Sequence, residues 1–137
     1  MSNLETIVSI STPMGTGALS VIRCSGKSVP TIIKNFFGKE LVPRRANYLD
    51  IKKNNKVLDD VVAIYYLGPK SFTGEDMLEI MCHGGPVMYQ LIIKEILKIK
   101  NNHLRILRGQ KGPKIGVSGL KLTIVRFLSM RMFKKLF

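Results

Sequence analysis

Residues 68–86 read Gly68-Pro69-Lys70-Ser71-Phe72-Thr73-Gly74-Glu75-Asp76-Met77-Leu78-Glu79-Ile80-Met81-Cys82-His83-Gly84-Gly85-Pro86. The stretch holds three kinds of local order. Gly68 to Glu75 is polar and rich in turn formers, so it reads as a loop. Asp76 to Cys82 alternates and reads as a strand: Leu78, Ile80 and Cys82 face one way, Met77, Glu79 and Met81 the other. His83-Gly84-Gly85-Pro86 then opens a helix over Val87 to Lys98, with Pro86 near its first turn. That helix is expected to pack on the sheet through Met88, Leu91, Ile92 and Ile96.

Upstream, Thr6 to Ser11 and Ala18 to Cys24 read as strands separated by the loop Thr12-Pro13-Met14-Gly15-Thr16-Gly17. Leu19, Val21 and Arg23 share one face of the second strand. Ser28 is a candidate helix cap, Pro30 suits a first turn and Gly38 suits a stop. Val29, Ile32, Ile33, Phe36 and Phe37 form a stripe at helical spacing between them. Ala46 to Lys52 and Val57 to Leu67 read as a hairpin around Lys53-Asn54-Asn55-Lys56. Leu104 to Leu107 has the pattern of one more strand. The order β-β-α-β-β-β-α predicts an α+β fold, a mixed or antiparallel sheet with covering helices.

The 137 residues suffice for one core, and a 45% hydrophobic fraction suits a folded domain. No segment reaches the roughly 18 apolar residues of a membrane span. The start, Met1 to Glu5, lacks signal- and transit-peptide patterns, so a cytoplasmic location is expected and no membrane partner. Two cysteines, Cys24 and Cys82, are too few for a disulfide scaffold and read as reduced core residues. The net charge of +13 is uneven. Residues 1–104 hold 13 basic and 9 acidic side chains, whereas residues 105–137 hold 9 basic and no acidic ones. The basic excess therefore belongs mainly to the tail.

Several motifs fail on spacing. Gly26-Lys27-Ser28 lies between a strand and a helix, but Val21 stands where a phosphate loop needs its first glycine. Gly15-Thr16-Gly17 is followed by Ser20, not the third glycine of a dinucleotide fingerprint. Cys82 and His83 are adjacent and point to opposite strand faces, so no metal site is expected of them. Two charges remain. Glu79 lies mid-strand between two methionines, and Arg23 shares a face with Leu19 and Val21. A charge in such a place needs a partner: solvent, an ion pair or a ligand.

Three blocks resemble the MnmE/TrmE family of tRNA-modification GTPases. The first is Glu5-Thr6-Ile7-Val8 to Thr12-Pro13, Gly15, Gly17 and Val21-Ile22-Arg23-Cys24-Ser25-Gly26. The second is Pro43-Arg44, Ala46, Tyr48 and Leu58-Asp59. The third, long and specific, is Gly68 to Glu79 with His83 to Pro86. The resemblance runs from about residue 5 to residue 106.

It implies a folate-binding and dimerising N-terminal domain over residues 1–106. In full-length members a helical domain and a GTPase domain follow, which use GTP, potassium and magnesium. With a flavin-dependent partner, MnmG or GidA, such proteins modify the wobble uridine of tRNA (5-carboxymethylaminomethyl-type). A tetrahydrofolate derivative, 5-formyl- or methylene-tetrahydrofolate, is the implied cofactor. Its contacts in the family match Arg23 and Glu79. No catalytic residue is expected in this stretch.

Departures accompany the match. Met14 replaces a second proline, and the family's folate-contacting lysine has no counterpart after Ile106. Residues 107–137 carry no family pattern, which suggests a shifted reading frame or a fused unrelated segment, and hence a poorly ordered or loosely helical basic tail. The rival expectation is a small nucleic-acid- or membrane-surface-binding protein acting through that tail.

Overall fold

The computed structural model describes residues 6–13 and 15–99, and the backbone of 104–106. Six strands and two helices follow in the order β1 (Thr6–Ile10), β2 (Leu19–Ser25), α1 (Val29–Phe37), β3 (Ala46–Lys53), β4 (Lys56–Tyr66), β5 (Met77–His83), α2 (Pro86–Leu97) and β6 (Leu104–Ile106). The strands form one sheet in the order β3-β4-β5-β2-β1-β6. Every neighbouring pair is antiparallel except β1 and β6, which run parallel with Thr6 opposite Leu104. The fold is α+β, as the sequence pattern predicts, and of the two sheet types left open, mixed or antiparallel, the sheet is mixed. The basic tail and its proposed origin lie outside the described residues.

The alternation in each strand divides the sheet into two unlike faces. Val8, Ile22, Cys24, Leu78, Ile80, Cys82, Val61 and Ala63 form one face, each 1% exposed or less. Both helices pack on this face. α1 contributes Val29, Ile32 and Ile33, and α2 contributes Tyr89, Ile92, Ile93 and Ile96 to the same core. The face of α2 departs from expectation: Tyr89 and Ile93 are buried, while Met88 and Leu91 are only partly so. The helix starts one residue earlier, at Pro86, and its twelve residues contain more apolar positions than one face accommodates. Apolar spacing alone therefore does not fix its rotation. Among the described residues, no helix is long and apolar enough to cross a membrane.

Turn chemistry sets the strand ends. Asn54 and Asn55 both adopt positive φ, 50° and 61°, giving the tight β3–β4 hairpin a turn that asparagine tolerates. Gly38 closes α1 in the left-handed conformation with its N–H on the Lys34 carbonyl. Ser28, expected to cap α1 with its side chain, makes no such bond. Its backbone is already helical, and its N–H donates instead to the Oγ1 of fully buried Thr6 at 2.8 Å. Strand β1 thus anchors the start of the helix.

Gly84 is required by proximity. A Cβ there would lie 1.7 Å from the Gly17 carbonyl oxygen. The Gly84 N–H also donates to the Ala18 carbonyl at 2.9 Å. The β5–α2 turn and the β1–β2 loop therefore cross backbone on backbone.

Candidate ligand-binding site

The second face of the sheet carries no helix among the described residues. Its central row is set by register. Ile64 of β4 stands opposite Glu79 of β5, Glu79 opposite Arg23 of β2, and Arg23 opposite Ser9 of β1. The two charges singled out in the sequence, 56 residues apart, are thus direct cross-strand neighbours. Arg23 Nε donates to Glu79 Oε1 at 2.6 Å. The ion pair, one of the three open readings, is present.

The pair is asymmetric in exposure. The Glu79 side chain is 11% exposed and the Arg23 side chain 38%. Tyr66, two residues beyond Ile64 on the same face, donates its hydroxyl to Glu79 Oε2 at 3.2 Å. Burial, then the nearby Glu79 carboxylate, raises the Tyr66 hydroxyl above its ordinary range, so Tyr66 stays a neutral donor. Each carboxylate oxygen holds one donor and retains a lone pair for another. Among the described residues, only Arg23 Nε bonds within the protein, leaving the two terminal amino groups of the fork for solvent or ligand.

Loop 67–76 frames the site and brings Phe72 over Arg23. The guanidinium carbon lies 5.6 Å from the ring centroid, in cation–π range. Local bonds explain the residues of this loop. Asp76 Oδ1 accepts from the Gly68 N–H at 2.9 Å, and Gly74, at φ 77°, donates to the Ser71 carbonyl. Ser25, at the end of β2, hydrogen-bonds Thr73 Oγ1 at 2.7 Å and Glu75 Oε2 at 3.0 Å. Arg44 Nη2 donates to the Lys70 carbonyl at 2.7 Å. The loop is therefore fastened to itself, to β2 and to the connector before β3.

A second cluster closes the far end of the same sheet. Buried Asp59 accepts from the His83 backbone N–H at 3.0 Å, from the Asp60 N–H, and pairs with His83 Nδ1 at 2.6 Å. Asp60 lies 4.0 Å from the same ring nitrogen and accepts the Tyr48 hydroxyl at 2.5 Å. The hydrogen bond to Asp59, then its charge, raises the His83 pKa above its ordinary value. Asp59, Asp60 and His83 bring three ligand-type atoms within 4.8 Å of one another. Yet the Asp59 oxygens already hold protein donors, which is the chemistry of a clamp between β4 and β5.

Cys24 and Cys82 are buried and free, their thiols pushed up by desolvation to about 12 and about 11. Sequence reasoning singled out Arg23 and Glu79. It missed Tyr66, Phe72 and the Asp59–His83 clamp. Strand alternation already puts Tyr66 on one face with Val62 and Ile64. The contacts of Phe72 and Asp59 required the loop path and strand register.

Fold and site together define a small α+β domain: a helix-backed sheet with a charged pair on its other face and one phenylalanine over it. Residues 6–109 match the family described as GTP-binding protein TrmE N-terminus. A tRNA modification GTPase MnmE of Actinobacillus pleuropneumoniae serotype 5b is 45% identical over 105 residues, covering 76% of this chain and 23% of the relative. Those of Pectobacterium carotovorum and Hamiltonella defensa are 43% and 41% identical, covering 74% and 79% of this chain. The chain belongs to the TrmE N-terminus family. It spans about a quarter of the length of these relatives, 22 to 24%. The rival reading, binding through the basic tail, rests on residues outside those described.

Proposed function

We propose that this domain binds a tetrahydrofolate derivative, 5-formyl- or methylene-tetrahydrofolate, as the dimerising N-terminal module of a tRNA-modification GTPase acting on the wobble uridine. The observation that carries the reading is the Arg23–Glu79 pair, aligned across two strands on the face opposite the helices. The donor set fits the ligand. A pterin edge offers an N–H and an amino group side by side, and a carboxylate accepts such a pair. Glu79, held by Tyr66 and Arg23, keeps acceptor capacity for it. Arg23 offers its remaining fork to a carbonyl or carboxylate of the folate.

When bound, the folate supplies the one-carbon unit; the protein's residues hold and orient it. GTP hydrolysis, with potassium and magnesium, belongs in this reading to further domains. The flavin-dependent MnmG/GidA-type protein and tRNA are the proposed partners of the whole enzyme.

The experiment is calorimetry of the full chain with 5-formyl-tetrahydrofolate. Glu79→Gln keeps the shape and loses the charge, so binding should weaken by about 1.5–3 kcal/mol. Arg23→Lys replaces a planar fork with a point charge and should also weaken it. Unchanged affinity in both variants would sink the site.

A further inference from the structure

Phe72 is not explained by the core. It is an exposed large hydrophobic side chain, 45% accessible, in a loop fixed on both sides of it. Arg44 holds the Lys70 carbonyl before it, and Ser25 holds Thr73 and Glu75 after it. Ser71 Oγ adds a bond to the Glu75 carbonyl across the turn. So many anchors give the ring a fixed place without burying it. That place is over the Arg23 guanidinium, whose Nε is tied to Glu79.

The arrangement has a chemical consequence. Glu79 offers acceptors, Arg23 offers donors, and both select polar edges and tails. Neither selects the flat body of a ligand. An aromatic ring at the rim supplies that surface, because a heteroaromatic ring gains from offset or edge packing on another ring. Phe72 also limits how the guanidinium turns, since the Nε bond to Glu79 fixes one edge and the ring covers a face.

We propose that Phe72 is the ligand-facing wall of this site, against which the pteridine ring lies while its donor edge meets Glu79. The proposal deepens the folate reading and rests on it. It makes Phe72 a specificity residue: ligands with a flat fused ring gain from it, and an equally charged ligand without one does not.

The sequence contains no tryptophan, so Phe72→Trp creates a single fluorescent reporter in the full chain. Titration with 5-formyl-tetrahydrofolate should quench it saturably, with the midpoint found by calorimetry. Tyr48→Trp, exposed on β3 at the sheet edge, is the control and should not respond. By calorimetry, Phe72→Leu should weaken binding about tenfold, the scale of one lost aromatic stack, with an unchanged melting temperature. Phe72→Tyr should restore affinity.

Two outcomes overturn the proposal alone: Phe72→Leu binding as tightly as the unaltered chain, or Phe72→Trp binding by calorimetry without quenching. If the unaltered chain gives no binding heat with 5-formyl-tetrahydrofolate, the folate reading falls and this inference with it. The two failures are thereby told apart.

Discussion

The two faces of one sheet are built from the same strands, yet they answer to different physics. Toward the helices, Ile22, Leu78 and Ile80 are wholly buried. On the other face their immediate neighbours Arg23 and Glu79 form an ion pair roofed in part by a loop. A step of one residue along β2 or β5 thus passes from packing to polar chemistry. The lesson is that stability and binding should be separable by substitution at adjacent positions.

The largest effect should come from the packed face. Ile80 is fully buried between Ala63 and Ile22 on neighbouring strands. Ile80→Asp buries an unpaired charge and should abolish the cooperative fold, read by circular dichroism and solubility. A soluble variant that melts cooperatively would break the comparison outright. Next door, Glu79→Gln should lose ligand affinity while its melting temperature stays near that of the unaltered chain, because partner Arg23 is partly solvated.

A smaller loss should follow from the crossing of two turns. Gly84→Ala drives a methyl into the Gly17 carbonyl, and the backbone must separate and strain its bond to Ala18. A cost of about 1–3 kcal/mol is expected in denaturant titration. An unchanged midpoint would mean that the loop yields freely and does not hold the strand ends together.

The smallest effect concerns the clamp between the ends of β4 and β5. Asp59 raises the His83 pKa in the folded chain, so folding favours the protonated ring. The stabilisation is complete below the ordinary histidine value and is lost as pH rises through the raised one. Melting temperature should therefore drop modestly as pH rises from about 6.5, the ordinary histidine value, through the raised one. His83→Gln should flatten that segment of the profile. An identical pH profile in both proteins would show that the clamp works by its backbone bond alone, from the His83 N–H to Asp59.

Much of this division is legible in the chain. Period-two alternation in β2 and β5 assigns each residue to a face without any structure. Asparagine and glycine mark the turns by the conformations they tolerate. What alternation does not contain is register. It places Arg23 and Glu79 on strand faces, but their meeting depends on how β2 and β5 slide past each other. Tyr66 and Phe72 reach the pair through a neighbouring strand and a loop path, relations with no local signal. Ser28 shows the same limit in miniature. Its sequence reads as a cap, but the structure gives its backbone N–H to Thr6, 22 positions earlier.

The parallel pairing of β1 with β6 joins positions 6 and 104. Seen as a polypeptide emerging from a ribosome, β1 and β2 can meet early, but the outer edge of β1 waits for its second neighbour. At ~5–20 residues per second, the intervening stretch takes about 5–20 s to synthesise. During that interval the nascent sheet offers a bare row of amides and carbonyls to any passing strand. Three residues, Leu104 to Ile106, end that exposure.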